Sequence, residues 1–337
     1  MHRFERYSRQ LLFPGIGEAG QERLVNSKVL IVGVGALGTV IANHLSRSGV
    51  GLIRLVDRDY VEMSNLQRQM LFTEKDVEQL LPKAIAAKQA LRNINSSIEV
   101  QAFVEDVTVQ NIEQLMDGID VVVDGTDNFQ TRFLLNDACF KKGIPFSYGG
   151  AVSARGMNAF LVPGKTPCFR CFIESGGSTG ETCDTVGVLS PVVDMVASMQ
   201  AMETIKYLVG AFDKNRRSLS TFDSWSNYRH DIQFQQAKPE CPTCQTKEYP
   251  SLRVQKEAEV TLCGRNTIQI SANKPLELDP IAERLNKVAE IKKTPFLVRA
   301  RLNEEETVVV FPDGRILVQG TEDLGRARSI FSKYIGN

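Results

Sequence analysis

No run in this 337-residue chain approaches the roughly 18 consecutive apolar residues of a membrane-crossing helix. The first ten residues, MHRFERYSRQ, lack the apolar core of a signal peptide. Both absences predict a cytoplasmic protein with no membrane partner. An excess of either charge is also missing. Lys+Arg and Asp+Glu both number 40, which gives no support for a nucleic-acid partner. There is no internal repeat and no low-complexity tract. Cysteine is sparse, at seven, and in a chain without a secretory signal it points to metal ligation or reactive thiols before disulfides. What remains is an ordinary globular composition, 42% hydrophobic and 24% charged, in a chain long enough for one large domain and a smaller one.

The strongest continuous pattern runs from Lys28 to Asp59. An apolar run over 29–32 suits a buried parallel strand. Gly33, Gly35 and Gly38 follow at G-x-G-x-x-G spacing, then a helix-periodic segment over 37–48. A second apolar run over 52–56 ends in Asp57. This is a βαβ unit with a nucleotide fingerprint. Gly33 permits the tight turn, Gly35 lets backbone approach a phosphate, Gly38 lets helix and strand pack closely, and Asp57 is placed for a ribose hydroxyl.

Further alternation continues the pattern. Helices are predicted over 18–24, 75–94, 111–116, 129–142 and 191–209, and strands over 98–103, 121–123, 145–148, 158–162 and within 218–235. The reading is an α/β doubly wound, Rossmann-like sheet, largely parallel. The methionines of the 191–209 helix are expected in the core. ESGGSTGETCDTVG (174–187) reads as a long loop of functional size. The boundary falls near 250. Residues 1–250 form the first domain, and 255–337 a small α+β domain. Within it the pattern predicts a strand over 267–271, a helix over 279–292, a strand over 296–302, a hairpin over 307–318 turned at Pro312-Asp313-Gly314, and a helix over 324–334.

Three constellations carry chemistry. C-F-R-C (Cys168, Cys171) and C-P-T-C (Cys241, Cys244) supply the four thiolates of a tetrahedral zinc site. A closed Cys₄ site has no open coordination position, so its role is structural; paired redox dithiols are the alternative. Arg9, Arg68 and Lys83 lie in or beside loops expected near the strand ends, and Asp127 just past the Val-rich strand at 121–123. Three cations and a carboxylate suit a triphosphate with Mg²⁺ better than a dinucleotide. Each cation alone is more often a solvated surface charge, and Asp127 alone could be the N-cap of the 129–142 helix. Cys183 stands in the glycine-rich loop, where it is either a sulfur nucleophile or a tolerated loop cysteine.

RYSRQ (6–10), VGVGALG (32–38), LVDRDYVEMSNLQRQ (55–69), the lysine after Pro82, DGTDN (124–128) and the two CxxC pairs together resemble the ThiF/MoeB family of bacterial relatives of ubiquitin-activating enzymes, over about 3–250. That resemblance implies adenylation, with Mg-ATP, of the C-terminal glycine of a small β-grasp sulfur-carrier protein. It implies Gly33, Gly35, Gly38, Asp57 and Asp59 at the nucleotide, Asn65, Arg68 and Lys83 at phosphates, and Asp127 at Mg²⁺. It implies a homodimer in which Arg9 reaches the neighbouring site, and a sulfur-transfer role for Cys183 with a cysteine desulfurase or another sulfur donor.

Resemblance leaves two carriers open, a ThiS-like one for thiamine thiazole synthesis and a MoaD-like one for molybdopterin. Less favoured are a peptide-adenylating relative, a tRNA threonylcarbamoyladenosine dehydratase, an NAD-dependent oxidoreductase and a non-catalytic scaffold. Short family members end soon after the second CxxC, whereas this chain continues to residue 337. A rhodanese domain there would need a reactive cysteine, and none follows Cys263.

Overall fold

The structure is a computed structural model, and it describes residues 4–173, 186–253, 259–262, 266–272 and 274–336. The expectations for Cys183, for most of the 174–187 loop and for Cys263 lie outside the described residues. The chain divides into two compact units, Met1–Val254 and Gln255–Asn337.

In the first unit eight strands form one sheet: β1 (Lys28–Val32), β2 (Leu52–Val56), β3 (Glu99–Phe103), β4 (Val121–Asp124), β5 (Phe146–Val152), β6 (Arg155–Leu161), β7 (Ser218–Asp223) and β8 (Tyr228–Gln233). Their order is β3-β2-β1-β4-β5-β6-β7-β8. The first five are parallel, and β6 to β8 extend the sheet as antiparallel hairpins. The helices are α1 (Ser8–Leu11), α2 (Gly17–Asn26), α3 (Ala36–Ser48), α4 (Glu74–Glu78), α5 (Lys83–Ile94), α6 (Ile112–Leu115), α7 (Phe129–Lys142) and α8 (Ser190–Leu208). Leu30, Val32, Val122 and Phe146 pack with residues of α6 and α7 in one core cluster. The alternate residues Val29, Ile31 and Val123 are fully buried on the other face, as strand geometry requires.

Chain direction reverses between β1 and β4: β2 and β3 extend one way, β4 and β5 the other. The C-terminal ends of β1 and β4 therefore flank the switch point, where open α/β sheets take ligands.

The segment expected as one helix over 75–94 is two. Leu80 takes a left-handed φ of +50° and Pro82 caps α5, since proline restricts the residue before it away from helix. The methionines of α8 do not all enter the core, Met199 being half-buried. Met195 and Met202 are exposed, and the helix buries Val192, Val193, Val196, Ala197 and Gln200 instead.

The second unit is a six-stranded antiparallel sheet of β9 (Glu259–Leu262), β10 (Thr267–Ser271), β11 (Glu290–Lys293), β12 (Val298–Arg301), β13 (Thr307–Val310) and β14 (Arg315–Gln319), in the order β11-β12-β13-β14-β10-β9. Ile268, Ile270, Val298, Val308, Val310 and Ile316 cluster with Ile281 and Leu285 of α9 (Leu278–Leu285) and Ile330 of α10 (Leu324–Ile330). The helix expected over 279–292 stops at Leu285. Residues 290–293 instead pair with β12 as a charged edge strand. The terminal helix closes in a π turn, Phe331–Ile335.

Candidate nucleotide site and four-cysteine centre

Three glycines build the switch point by mutual contact. Gly33 has φ +84°, and a Cβ on it would meet the Gly125 carbonyl at 2.7 Å and the Thr126 amide at 2.9 Å. A Cβ on Gly38 or on Gly125 would overlap the Gly33 carbonyl oxygen. The loops after β1 and β4 thus close on each other. Gly35 differs: the nearest atom to its Cβ position is Gln69 Nε2 at 3.7 Å. It stands at the open N-terminus of α3, with no side-chain cap, where backbone amides and the helix dipole favour an anion.

Asp57 braces this turn. Its carboxylate accepts the Val34 amide at 2.6 Å and the Asp59 amide at 2.7 Å. Burial raises its pKa, the neighbouring Asp59 adds to this, and Lys83 opposes it. Lys83 opens α5, where its amide donates to the Asp59 carbonyl at 2.9 Å, and its buried Nζ lies 3.4 Å from Asp59 Oδ2. Asp57, Asp59 and Lys83 therefore form one group beside the glycine turn.

SNLQRQ supplies a different mix. Asn65 is buried and its Oδ1 accepts the Glu62 amide at 3.0 Å, closing a capping box with Glu62. Arg68 is half-buried and bonds the Ser64 carbonyl at 3.0 Å. Gln69, next in sequence, reaches Gly35, so this segment stands over the turn.

Asp127 is exposed in the loop after β4, and the cap of α7 is not Asp127. Asn128 fills that position, its Oδ1 accepting the Thr131 amide at 2.8 Å. The loop's support escaped the sequence reading. Asp124, fully buried at the end of β4, receives Arg132 Nε at 3.0 Å and the Thr126 amide and hydroxyl at 2.8 and 2.6 Å. Burial raises the Asp124 pKa, against Arg132 and Thr126. Arg132 also donates to the Thr126 carbonyl at 2.7 Å and the Gly149 carbonyl at 3.1 Å. Gln200 from α8 holds the Asp124 carbonyl at 2.8 Å. An aspartate ending a Val-rich strand, with an arginine eight residues on, is the signal the sequence carries.

Arg9 lies away from this group in its own chain. Its neighbours are pinned to the far ends of α3 and α5: Gln10 Nε2 donates to the Ser48 carbonyl at 3.0 Å, Arg6 to the Ile94 carbonyl at 2.7 Å, and Asn95 to the Tyr7 hydroxyl at 2.9 Å. A 13-residue α3 is about 20 Å long, and its other end is the glycine turn. Arg9 is exposed there, with Leu12 and Phe13 at 72% and 62% exposure beside it. The expectation that Arg9 lies near the nucleotide strand ends does not hold within one chain.

Cys168, Cys171, Cys241 and Cys244 converge, with all four sulfurs within 4.8 Å of one another. Cys168–Cys241 and Cys171–Cys244 are 3.4 and 3.5 Å apart. Tetrahedral zinc with bonds near 2.3 Å needs sulfur–sulfur edges of about 3.8 Å, so small adjustments fit the ion. Hydrogen bonds from Cys168 and Cys244 hold the Cys171 thiol well below the usual cysteine range. Cys139 is separate, buried in α7, where burial alone pushes its thiol up.

Comparison with known proteins agrees with this geometry. The chain matches the ThiF family over residues 7–243. It is 44% identical over 336 residues to a sulfur carrier protein ThiS adenylyltransferase from Bacillus subtilis strain 168, covering 98% of this chain and 99% of that one. An Escherichia coli K12 protein of the same name is 37% identical over 242 residues, which is 72% of this chain and 95% of the relative. Among solved structures, E. coli MccB with ATP superposes with a TM-score of 0.60 at 27% identity, over 71% of this chain and 74% of that one. A family match that takes in the nucleotide turn and runs to residue 243, and a relative similar from end to end, make this chain a member of the ThiF family.

Proposed function

We propose that the protein adenylates the C-terminal glycine of a ThiS-like β-grasp sulfur carrier, using ATP and releasing pyrophosphate. The observation that carries this reading is the switch-point crevice. There the uncapped α3 N-terminus and open Gly35 stand beside Lys83 and the loop bearing Asp127. Relatives named as ThiS adenylyltransferases, one of them similar over its whole length, support the carrier.

The carrier's terminal carboxyl, with an unperturbed pKa near ~3.5, is already ionised at neutral pH, so no general base is required. Its oxygen attacks the α-phosphorus in line. The bond from that phosphorus to the bridging oxygen breaks, and pyrophosphate leaves with the electron pair. Lys83 and Arg68 offset charge on the phosphates, backbone at Gly35 lines them, and Asp57 accepts a ribose hydroxyl. Asp127, exposed and not engaged as a helix cap, is the carboxylate that would hold Mg²⁺, and the ion would supply neutralisation of the phosphate charge. Zinc at the four cysteines fastens two distant segments.

Arg9 serves a second copy's site in a homodimer. In support, Arg9 is exposed next to Gln10, which bonds the C-terminal end of α3; that helix is about 20 Å long with the glycine turn at its other end, and Leu12 and Phe13 are exposed beside Arg9. Cys183, charged as a persulfide by the sulfane sulfur of a cysteine desulfurase or another donor, would attack the acyl carbon of the adenylate with its outer sulfur and AMP would leave; an external thiol would then open the resulting acyl disulfide and release the carrier thiocarboxylate. The protein works in the cytoplasm, where thiols stay reduced; among the described residues no helix is long and apolar enough to cross a membrane. The 255–337 unit is a partner-binding or supporting domain.

The test is to incubate the protein with ATP and either a ThiS-like or a MoaD-like carrier and weigh the carrier. The reading predicts one added AMP on the ThiS-like carrier. Addition to the MoaD-like carrier alone moves the protein to molybdopterin synthesis, and addition to neither overturns the proposal.

A further inference from the structure

The cysteine centre and the nucleotide loop share one strut. α7 starts at the loop's last residue, because Asn128 is its cap. The middle of α7 holds both cysteine knuckles. Asn136 Oδ1 accepts the Phe169 amide at 2.9 Å. Fully buried Asp137 receives Arg170 from the first knuckle at 2.9 and 2.8 Å, and the Thr243 hydroxyl from the second at 2.5 Å. Only about 13 Å of helix separates Asn128 from Asp137.

A second path runs through rings. Phe169, between Cys168 and Cys171, is 1% exposed. Its ring packs 4.7 Å from Tyr148, 5.3 Å from Phe133 and 6.5 Å from Phe129, centroid to centroid. Phe129 and Tyr148 in turn flank the Arg132 guanidinium at 5.3 and 5.4 Å. Arg132 is the group that fixes the loop through Asp124 and the Thr126 carbonyl. A knuckle that shifts moves Phe169, and close packing passes that shift to the two rings that orient Arg132.

We propose that Phe169 and Arg132 are positioning residues that couple the four-cysteine centre to MgATP binding. Zinc and MgATP would each tighten the other's binding by the same factor, as linkage demands. A contiguous set of contacts is only a route, so the coupling itself must be measured. The proposal rests on the readings of Asp127 and of the zinc site given above.

The experiment uses the full chain. Zinc transfer to a chromogenic chelator is measured with and without Mg²⁺ and a non-hydrolysable ATP analogue, and analogue affinity is measured by calorimetry on zinc-loaded and zinc-depleted protein. The expected coupling is about fivefold or more in both directions. Phe169→Leu should keep one zinc per chain and still bind the analogue, with the factor falling toward one. Arg132→Lys should do the same; if it fails to fold, the charge-free pair Asp124→Asn/Arg132→Gln replaces it, and Phe169→Leu stands independently. Zinc affinity unchanged by the analogue, or undiminished coupling in Phe169→Leu, overturns the proposal. Asp127→Ala separates the underlying reading: unchanged Mg-analogue affinity there removes Asp127 from the site, whatever the coupling factor in the unsubstituted protein.

Discussion

Gly35 and Gly38 belong to one fingerprint yet should respond to alanine in opposite ways. A Cβ on Gly38 would sit 2.9 Å from the Gly33 carbonyl carbon and overlap its oxygen. Carbon–carbon contacts are comfortable at about 3.5–4.0 Å, so the start of α3 must move by roughly 1 Å. Gly33 cannot yield, since it already rests on Gly125. Overpacking of this kind costs about 1–3 kcal/mol, and the helix propensity of alanine returns up to about 1. A net loss of about 1–2 kcal/mol lowers the Tm of a unit this size by roughly 2–8 °C. At Gly35 nothing lies nearer than 3.7 Å, so Gly35→Ala should leave Tm within about 2 °C, in line with a substitution that clashes with nothing. If phosphate oxygens approach the Gly35 backbone, the added methyl displaces charge-assisted hydrogen bonds of about 1.5–3 kcal/mol. ATP affinity should then fall roughly 10- to 100-fold. Differential scanning calorimetry and ATP titration read the two effects. A folded Gly35→Ala protein that binds ATP within twofold of the unsubstituted protein would refute the assignment of Gly35 as the phosphate-facing position.

Other outcomes follow from the same geometry. Mixing Arg9→Ala with Asp127→Ala subunits should restore part of the adenylation that each homodimer lacks; stable mixed dimers with no activity would argue against action across the dimer. Freshly purified protein should carry about one zinc per chain by metal analysis, and Cys241→Ser should lower both that ratio and Tm; a native-like Tm without zinc contradicts a structural metal. Cys183→Ser should leave adenylation intact and impair sulfur delivery, with loss of adenylation placing the cysteine in the first step instead. In the second unit, Arg326 holds Glu306 through two 2.7 Å contacts, and these hydrogen bonds depress the Glu306 pKa. The resulting stability is present above the ordinary glutamate pKa near ~4.3 and is lost as pH falls through the lower folded value. Acid unfolding of this unit should be flatter in Glu306→Gln, and an unchanged acid limb would show that the pair contributes nothing.

Motifs that act locally are legible in the sequence. The glycine turn depends on three residues within six positions, and each CxxC knuckle on four, so spacing alone carried their chemistry. Tertiary contacts were not legible. Asp124 and Arg132 meet because a strand end and the second turn of a helix converge, and neither residue type signals burial by itself. Pro82 breaks the 75–94 pattern into two helices, and its constraint on Leu81 is the sequence feature that marks the break. Residues 290–293 continued an amphipathic pattern, and only pairing with β12 made them a strand. Methionines on α8 looked like core because they are apolar, but the helix buries smaller side chains toward α3 and the sheet and turns Met195 and Met202 outward. Arg9, expected in or beside a loop near the strand ends, stands with neighbours bonded to the far ends of α3 and α5. The anchoring of Gln10 and Arg6 to helix C-termini is what puts it at the opposite edge.

Labelled-pyrophosphate exchange into ATP reads the adenylation step itself. With a Gly-Gly-tailed sulfur carrier present, exchange should require Mg²⁺, disappear in Asp127→Ala and Lys83→Ala, and disappear when the carrier's terminal glycine is removed. Exchange absent with every such carrier, or present at full rate with a carrier lacking its terminal glycine, would contradict adenylation of the carrier.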